Sequence, residues 1–191
     1  MKKLIVTAHP STKGFTHRIA KAFQKGSEEA FHEVEILNLY ETEWRQDFLK
    51  FEDIRNIPED KSRLEMQKKI SWADELIIIH PLWWFDAPAI LKNWVDQNFT
   101  PGFAYKYTPQ NKLLPQKLLI GKTARVFITC DSPKWFYWLI GMPFKKNWAI
   151  GRFWFCGIKT QTFRVFDRKF KRSPAILEKW IQQVYTLAKK S

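Results

Sequence analysis

The chain is poor in several residues that build common catalytic and metal sites. Its 191 residues include two cysteines, Cys130 and Cys156, seven glycines and four histidines, and no histidine follows His80. The cysteines lie far apart and have no histidine or cysteine neighbour at metal-ligand spacing. We therefore expect two buried, reduced thiols and no metal site. With so few histidines, a Ser-His-Asp triad or a two-histidine metal centre has few ways to assemble.

Glycine-rich phosphate motifs and long apolar runs are absent as well. Neither G-x-G-x-x-G nor G-x-x-x-x-G-K-[ST] occurs, so neither the dinucleotide fingerprint nor the P-loop is supported. The apolar part of the amino-terminal MKKLIVTAHP spans only Leu4–Ala8, which is too short for a secretory signal. No segment approaches the roughly 20 apolar residues of a membrane-spanning helix. We expect a soluble cytoplasmic protein.

Acidic residues are scarce relative to basic ones. There are 19 Asp and Glu against 32 Lys and Arg, which gives a formal net charge of +13. The basic residues are spread along the chain, with mild concentrations at Lys145–Lys146 and Arg164–Arg172, and they lack finger spacing, an RNA-binding aromatic signature or a long basic tail. A solvated basic face is therefore favoured over a nucleic-acid-binding module. Phosphate-bearing small molecules and anionic lipid headgroups are the next partners to consider.

The chain does contain strands that alternate with helices. Nearly continuous apolar runs predict buried strands, and apolar residues at helical spacing predict the helices between them. This alternation predicts one α/β domain over residues 1–191, with a doubly wound parallel sheet and helices on both faces. The predicted strands are Leu4–Ala8, Val34–Tyr40, Glu75–His80, Ala124–Cys130 and Lys159–Phe166, and the predicted helices lie near Phe15, over Ser62–Ala73, after Pro88 and after Ser173-Pro174.

Three loops follow strand ends at the edge of the sheet where doubly wound folds bind ligands. The first, His9–Thr16, is rich in hydroxyl groups and runs into a helix N-terminus, where free N–H groups favour an anion. Ordinary helix capping by Thr12 or Thr16 is the simpler alternative. The second loop carries three aromatic residues in succession, and such a wall at a strand end indicates a flat ligand. The third loop is Asp131–Lys134.

Several motifs together resemble the NAD(P)H:quinone oxidoreductase family with the flavodoxin-like fold. HPLWWFDAPAILKNWVDQNF followed by PGFAYKY is similar to that family's aromatic strand end, helix and aromatic turn. AHPSTKGFT resembles its flavin-phosphate loop, and FCGIK is also similar. The resemblance covers residues 1 to about 107 well. It implies a five-stranded parallel sheet in the order 2-1-3-4-5.

The resemblance also implies an activity and a set of cofactor contacts. A tightly held flavin, FAD with FMN as the alternative, would be reduced by NAD(P)H and reoxidised by a quinone-like acceptor in alternating half-reactions. Family likeness further implies a homodimer, and it leaves a second interpretation open, an ancillary regulatory subunit of a potassium efflux transporter. The implied contacts are His9, Ser11, Phe15 and Thr16 for the phosphates, Pro81, Leu82, Trp83, Trp84 and Phe85 beside the isoalloxazine, and Thr129, Asp131 and Ser132 near the flavin pyrimidine edge.

Two departures from the family pattern concern catalysis. The family often has T-x-G-G after the fourth strand, whereas this chain has Asp131, whose carboxylate opposes the charge of a reduced flavin unless it points away. The tyrosine and histidine of better-known members are also not both present, because no histidine follows Tyr137. Tyr137 remains the candidate catalytic residue, as a hydrogen-bond donor to a reduced quinone oxygen.

The stretch WFYWLIGMPF, Trp135–Phe144, has no charged residue and is too short to span a bilayer. Pro133, Gly141 and Pro143 make a long helix through it unfavourable. We expect a mobile cover over the flavin that also contacts a partner subunit, and membrane contact and simple core packing are the alternatives. The homodimer has a physical motive of its own, since one helix and turn carry a large aromatic surface at Trp94, Phe99, Phe103 and Tyr105.

Overall fold

A central sheet of five parallel strands organises the protein. The computed structural model describes residues 1–54, 56–109 and 111–191. The strand order is β2-β1-β3-β6-β7, which confirms the predicted 2-1-3-4-5 order and the doubly wound α/β class once a separate hairpin, β4-β5, is counted in the numbering. The strands are β1 (Lys2–Thr7), β2 (Glu33–Asn38), β3 (Glu75–Pro81), β4 (Tyr105–Thr108), β5 (Asn111–Lys117), β6 (Thr123–Thr129) and β7 (Lys159–Phe166).

Helices cover both faces of this sheet. They are α1 (Phe15–Glu29), α2 (Lys61–Trp72), α3 (Ala89–Asn98), α4 (Lys134–Leu139), α5 (Pro143–Lys146) and α6 (Pro174–Lys189), with a π-helix over Asn147–Trp154 and short 3-10 turns at Thr42–Trp44 and Lys169–Lys171. Among the helices in the described ranges, none combines the length and the apolar character needed to cross a membrane.

The core consists of two apolar layers, one on each face of the sheet. Every residue of β3 is buried, and successive side chains point to opposite faces. Ile77 and Ile79 pack with α1 and α6, while Leu76 and Ile78 pack on the opposite side with Leu91 of α3. The continuous apolar run that predicted this strand therefore reflects burial on both faces.

The strand order places a topological switch point between β1 and β3. The chain moves from β1 to β2 on one side and then crosses back to β3 on the other. The loops after β1 and β3 consequently leave neighbouring strands at the same edge, where such sheets bind ligands. A backbone hydrogen bond from Ala8 N to Ile79 O, 3.2 Å long, ties the two strand ends together.

Two local features differ from the expectations drawn from sequence. The hairpin β4-β5 was not predicted, and the region after β6 forms two short helices followed by the π-helix. As predicted, no long helix runs through Trp135–Phe144, because Met142 takes a left-handed backbone conformation with φ of 47° between α4 and α5. The alternative interpretation, in which the side chain of Thr12 or Thr16 caps α1, was wrong. Gly14 is the N-cap residue, and no side chain accepts a hydrogen bond there.

Candidate functional site at the carboxyl edge of the sheet

The loop between β1 and α1 is closed by His9. The N–H of Ser11 donates to Nδ1 of His9 at 3.0 Å, and Nε2 of His17 lies 3.2 Å from the carbonyl oxygen of His9. A Cβ on Gly14 would lie 3.0 Å from both the His9 ring and the carbonyl oxygen of Ser11. Glycine avoids these tight contacts, and the hydrogen bonds of His9 hold the loop in shape.

The first turn of α1 presents free backbone donors to this loop. Among the described hydrogen bonds, the N–H groups of Phe15 and Thr16 donate to no backbone oxygen. An uncapped helix N-terminus of this kind favours an anion through its N–H groups and its dipole. The side chains of Phe15 and Thr16 are buried, whereas Ser11 is exposed. Phe15 and Thr16 can therefore contact a phosphate only through their backbone, and Ser11 can also use its hydroxyl.

The loop after β3 is a tight turn that displays aromatic side chains. Trp83 and Asp86 exchange two backbone hydrogen bonds of 3.0 Å each. Between them, Trp84 and Phe85 both adopt left-handed conformations, with φ of 50° and 63°. Such conformations cost non-glycine residues about 1–3 kcal/mol each and persist where the surroundings fix them. Trp84 is 97% exposed, and Trp83 and Phe85 are each 42% exposed, so this aromatic wall is not part of the core.

An ion pair anchors the aromatic turn to the π-helix. Nη2 of Arg152 donates to both carboxylate oxygens of Asp86, at 3.0 and 2.9 Å. The N–H of Ala87 donates to Asp86 Oδ1 at 2.8 Å. Burial raises the pKa of Asp86, but the hydrogen bonds from Arg152 and Ala87 outweigh it and hold the pKa below its usual range. Asp86 thus stays ionised, as a structural anchor.

The network continues from Arg152 to the buried end of β3. The guanidinium lies 4.5 Å from the centre of the Trp148 ring, and the Trp148 indole N–H donates to His80 Nε2 at 3.0 Å. Because Nε2 accepts, the proton of neutral His80 lies on Nδ1, 2.8 Å from the Pro81 carbonyl oxygen. Complete burial lowers the pKa of His80 to about 4. His80 is therefore a neutral link at neutral pH.

The third loop joins this arrangement through Thr129. Its carbonyl oxygen accepts the N–H of Leu82 at 2.8 Å, which binds the ends of β3 and β6 together. Asp131 is exposed and Ser132 is half-buried. Asp167, just beyond β7, accepts a hydrogen bond from the N–H of Lys134 at 3.1 Å and so fixes the start of α4.

Tyr137 lies on the inner face of α4, beside the aromatic turn. Its ring centre is 6.0 Å from that of Phe85 and 5.3 Å from that of Phe144, edge to face in both cases. Burial raises the pKa of Tyr137, and its hydrogen bond with Ser132 offsets this only in part. The hydroxyl is therefore a protonated donor at neutral pH.

A cleft of about 540 Å³ lies beside α3. Phe48 and Phe51, from the irregular segment after β2, form one wall, and Arg152 and Phe155 form another. Trp94 and Phe99 are buried within the chain's own core. The physical expectation of a homodimer assumed that one helix and turn leave these rings exposed, and for Trp94 and Phe99 that assumption was wrong.

Sequence reasoning located the three loops but missed the residues that hold them. Arg152, Trp148 and Asp167 carried no recognisable motif, and no functional role was assigned to His80 or Asp86 from the sequence. Asp86 is bonded to Arg152, 66 residues further along the chain, and His80 is bonded to Trp148, 68 residues further along. No local periodicity could have found such pairs.

Comparisons with known proteins agree with this geometry. A model of the Flavodoxin-like fold family matches residues 1–188. An uncharacterized NAD(P)H oxidoreductase from Haemophilus influenzae is 33% identical over 174 residues, which cover 87% of this chain and 83% of that protein.

Two further relatives carry more specific names. A ribosyldihydronicotinamide dehydrogenase-like protein from Penicillium crustosum is 37% identical over 127 residues, covering 55% of this chain and 46% of that protein. The match thus spans about half the length of this relative. The structure of an NAD(P)H:quinone oxidoreductase from Methanothermobacter marburgensis superposes with a TM-score of 0.83 at 26% identity, covering 100% of this chain and 96% of that one. The chain therefore belongs to the flavodoxin-like fold family, beside relatives named NAD(P)H oxidoreductases, and the resemblance drawn from its sequence motifs is confirmed.

Proposed function

We propose that this protein is a flavin-dependent NAD(P)H:acceptor oxidoreductase that reduces quinones by alternating hydride transfers. The observation that carries the proposal is the pair Trp84 and Phe85, held in left-handed conformations and exposed at the switch point of the sheet. The names of the relatives support the enzyme over the alternative of a transporter subunit.

The residues of the site fit a flavin. The free N–H groups of Phe15 and Thr16, with the Ser11 hydroxyl and the loop framed by His9, suit its phosphate groups. Among the described hydrogen bonds, the N–H groups of Trp84 and Phe85 also donate to no backbone oxygen, so they can donate to a planar heterocycle. The full proposed set is His9, Ser11, Phe15, Thr16, Pro81, Leu82, Trp83, Trp84, Phe85, Thr129, Asp131 and Ser132.

A bound flavin supplies the hydride chemistry, while the protein orients the reactants. The aromatic turn gives a flat surface on which a nicotinamide and then a quinone can be aligned in the same slot. Tyr137 is the proposed hydrogen-bond donor to the reduced quinone oxygen, because its hydroxyl stays protonated and its ring lies beside that of Phe85. Asp131 is exposed and adds a negative charge near the proposed pyrimidine edge.

The cofactor is proposed to be FAD, with FMN as the alternative, and NAD(P)H is the electron donor. Mass spectrometry of the chromophore released from purified protein distinguishes the two flavins. Steady-state rates with NADH and NADPH at equal concentrations identify the preferred donor. A colourless preparation that also takes up no added flavin would refute the proposed function.

The aromatic turn itself is tested by Trp84→Ala. Because the side chain is 97% exposed, its loss should change the free energy of unfolding by less than about 0.5 kcal/mol. We expect weaker flavin retention or slower hydride transfer. Phe31→Ala is a matched control, since Phe31 is 94% exposed, has φ of 59° and lies before β2 at the opposite edge of the sheet. Full flavin content and turnover with lowered thermal stability would show that Trp84 serves packing.

The roles of Tyr137 and of the segment around it are tested by two separate variants, Tyr137→Phe and Trp135→Ala. Stopped-flow measurements should show a slower acceptor half-reaction and a nearly unchanged NAD(P)H half-reaction, because the lost hydroxyl acts on the reduced acceptor. If both half-reactions run at the parent rate, the segment Trp135–Phe144 is only packing and Tyr137 has no catalytic role.

We also propose a cytoplasmic homodimer. The cleft lined by Phe48 and Phe51 is open in the single chain, and Phe51 is exposed on its rim. A second copy would cover these apolar side chains. Sedimentation equilibrium at micromolar concentration should give twice the mass of one chain, and a monomer would contradict the proposal.

A further inference from the structure

The outer face of α4 and the π-helix exposes large apolar side chains. Trp138 is 71% exposed and Leu139 is 64% exposed, although Tyr137 between Phe136 and Trp138 is buried. Ile140, Ile150 and Trp154 are exposed as well. We define the outer apolar face as these five residues: Trp138, Leu139, Ile140, Ile150 and Trp154. Apolar groups of this size at one surface usually mark an interaction site.

Two shallow grooves that share Ala149 connect Trp138 and Ile150 with Trp154, and lysines line both grooves. Trp138, Lys145, Lys146 and Ile150 line one shallow groove together with Ala149. Ala149 also lines a second groove with Lys117, Ile120 and Trp154. The Lys117 ammonium lies 3.6 Å from the centre of the Trp154 ring. Lysine side chains therefore lie beside the apolar side chains in both grooves.

Among the ion pairs of the described residues, none involves Lys117, Lys145 or Lys146. Between Gln97 and Phe166 the sequence contains a single acidic residue, Asp131. If a second copy packed its outer apolar face against this one, lysines would meet lysines without a counter-charge, and such contacts are unfavourable. A partner that is complementary to this face has an apolar interior and a negatively charged surface.

We propose that the outer apolar face docks on an anionic lipid surface. Tryptophan is enriched at membrane–water interfaces, where its ring is amphipathic, and lysines near an anionic leaflet each gain about 1 kcal/mol. The net charge of +13 adds long-range attraction. Trp138, Leu139 and Ile140 enter the interfacial layer, while Lys145 and Lys146 meet the headgroups.

Docking would also orient the aromatic turn toward the lipid. The ring of Phe136 lies 6.3 Å from that of Phe85, so α4 connects the outer apolar face with the candidate site. An acceptor dissolved in the bilayer would then reach Phe85 over a short path. This consequence rests on the proposed function, whereas docking itself does not depend on it.

The test is flotation of the purified protein with vesicles of phosphatidylcholine alone and with added phosphatidylglycerol. We expect binding to the anionic vesicles only, and weaker binding at high salt. The pair Lys145→Glu with Lys146→Glu should weaken binding at least about 20-fold, since each lysine contributes roughly fivefold. Trp138→Ala with Leu139→Ala should also release the protein. All four side chains are exposed, so folding should be unaffected.

A control on α2 separates this face from net charge. Leu64, Lys61 and Lys68 are exposed there, and Lys61→Glu with Lys68→Glu and Leu64→Ala makes the same charge change on another surface. This triple variant should lose far less than 20-fold. Equal loss in both sets, or no binding of the parent protein to anionic vesicles, overturns the proposal. If sedimentation shows that Trp138→Ala with Leu139→Ala converts a dimer to a monomer without changing vesicle binding, the occupant is a second copy and the proposal is wrong.

Discussion

Arg152 fixes the aromatic turn from the π-helix, so Arg152→Ala should loosen the site as well as the fold. The side chain is only 9% exposed and donates two hydrogen bonds to Asp86. Hydrogen bonds to charged groups contribute about 1.5–3 kcal/mol, and the contact with the Trp148 ring adds roughly 1 kcal/mol. Asp86 keeps 35% exposure, so its carboxylate can be hydrated after the loss. We expect the free energy of unfolding to fall by about 2–3 kcal/mol.

The functional consequence follows from the backbone of the turn. Trp84 and Phe85 hold left-handed conformations that cost about 1–3 kcal/mol each, and without Arg152 the turn can relax out of them. The flavin should then bind at least about tenfold more weakly, which corresponds to about 1.4 kcal/mol. Flavin fluorescence titration measures this affinity, and urea unfolding measures the stability.

A control variant and a double variant test whether the effect belongs to the pair of Arg152 and Asp86. Lys92→Ala removes an exposed ion pair with Asp96 on α3 and should cost less than about 0.5 kcal/mol. In the double variant of Asp86→Ala and Arg152→Ala, the effects should be less than additive, because the two residues share one interaction. If Arg152→Ala loses stability but binds flavin with the parent affinity, the turn is positioned without this network.

Three further predictions concern buried groups and the phosphate loop. Burial lowers the pKa of His80 from 6.5 to about 4 on folding. Between these two pH values the unfolded state binds more protons, so the free energy of unfolding should fall as the pH drops, by up to about 3 kcal/mol. His80→Gln should flatten this dependence in urea unfolding at pH values across the window, and an unchanged slope would show that other groups cause it. Burial raises the pKa of Cys130 and of Cys156 to about 12, so a thiol reagent should label neither in the native protein at neutral pH and both in denaturant; fast native labelling would contradict the burial. Gly14→Ala should push the His9 ring aside and reduce flavin uptake, and normal uptake with an intact fold would mean that the loop tolerates the contact.

Local sequence patterns determined the architecture and the position of the site. Apolar runs such as Leu76–Ile79, which are short and bounded by polar residues or proline, predict strands buried on both faces, and β3 confirms this. Their alternation with helical patterns leaves few connections other than a doubly wound sheet, so the edge that carries the ligand loops follows from the order of the elements. The sequence alone therefore places Trp83, Trp84 and Phe85 at that edge.

Tertiary structure alone decided how those residues are held and which faces remain open. The left-handed turn at Trp84 and Phe85 and its anchoring through Arg152, Trp148 and His80 depend on contacts between residues 66 to 68 positions apart. Trp94 and Trp138 both lie in aromatic-rich stretches, yet Trp94 is buried in the core although Lys92 and Asp96 flank it, and Trp138 is exposed although the residues around it are uncharged. Burial depends on which neighbours the chain brings to each side chain, and a one-dimensional pattern does not contain that information.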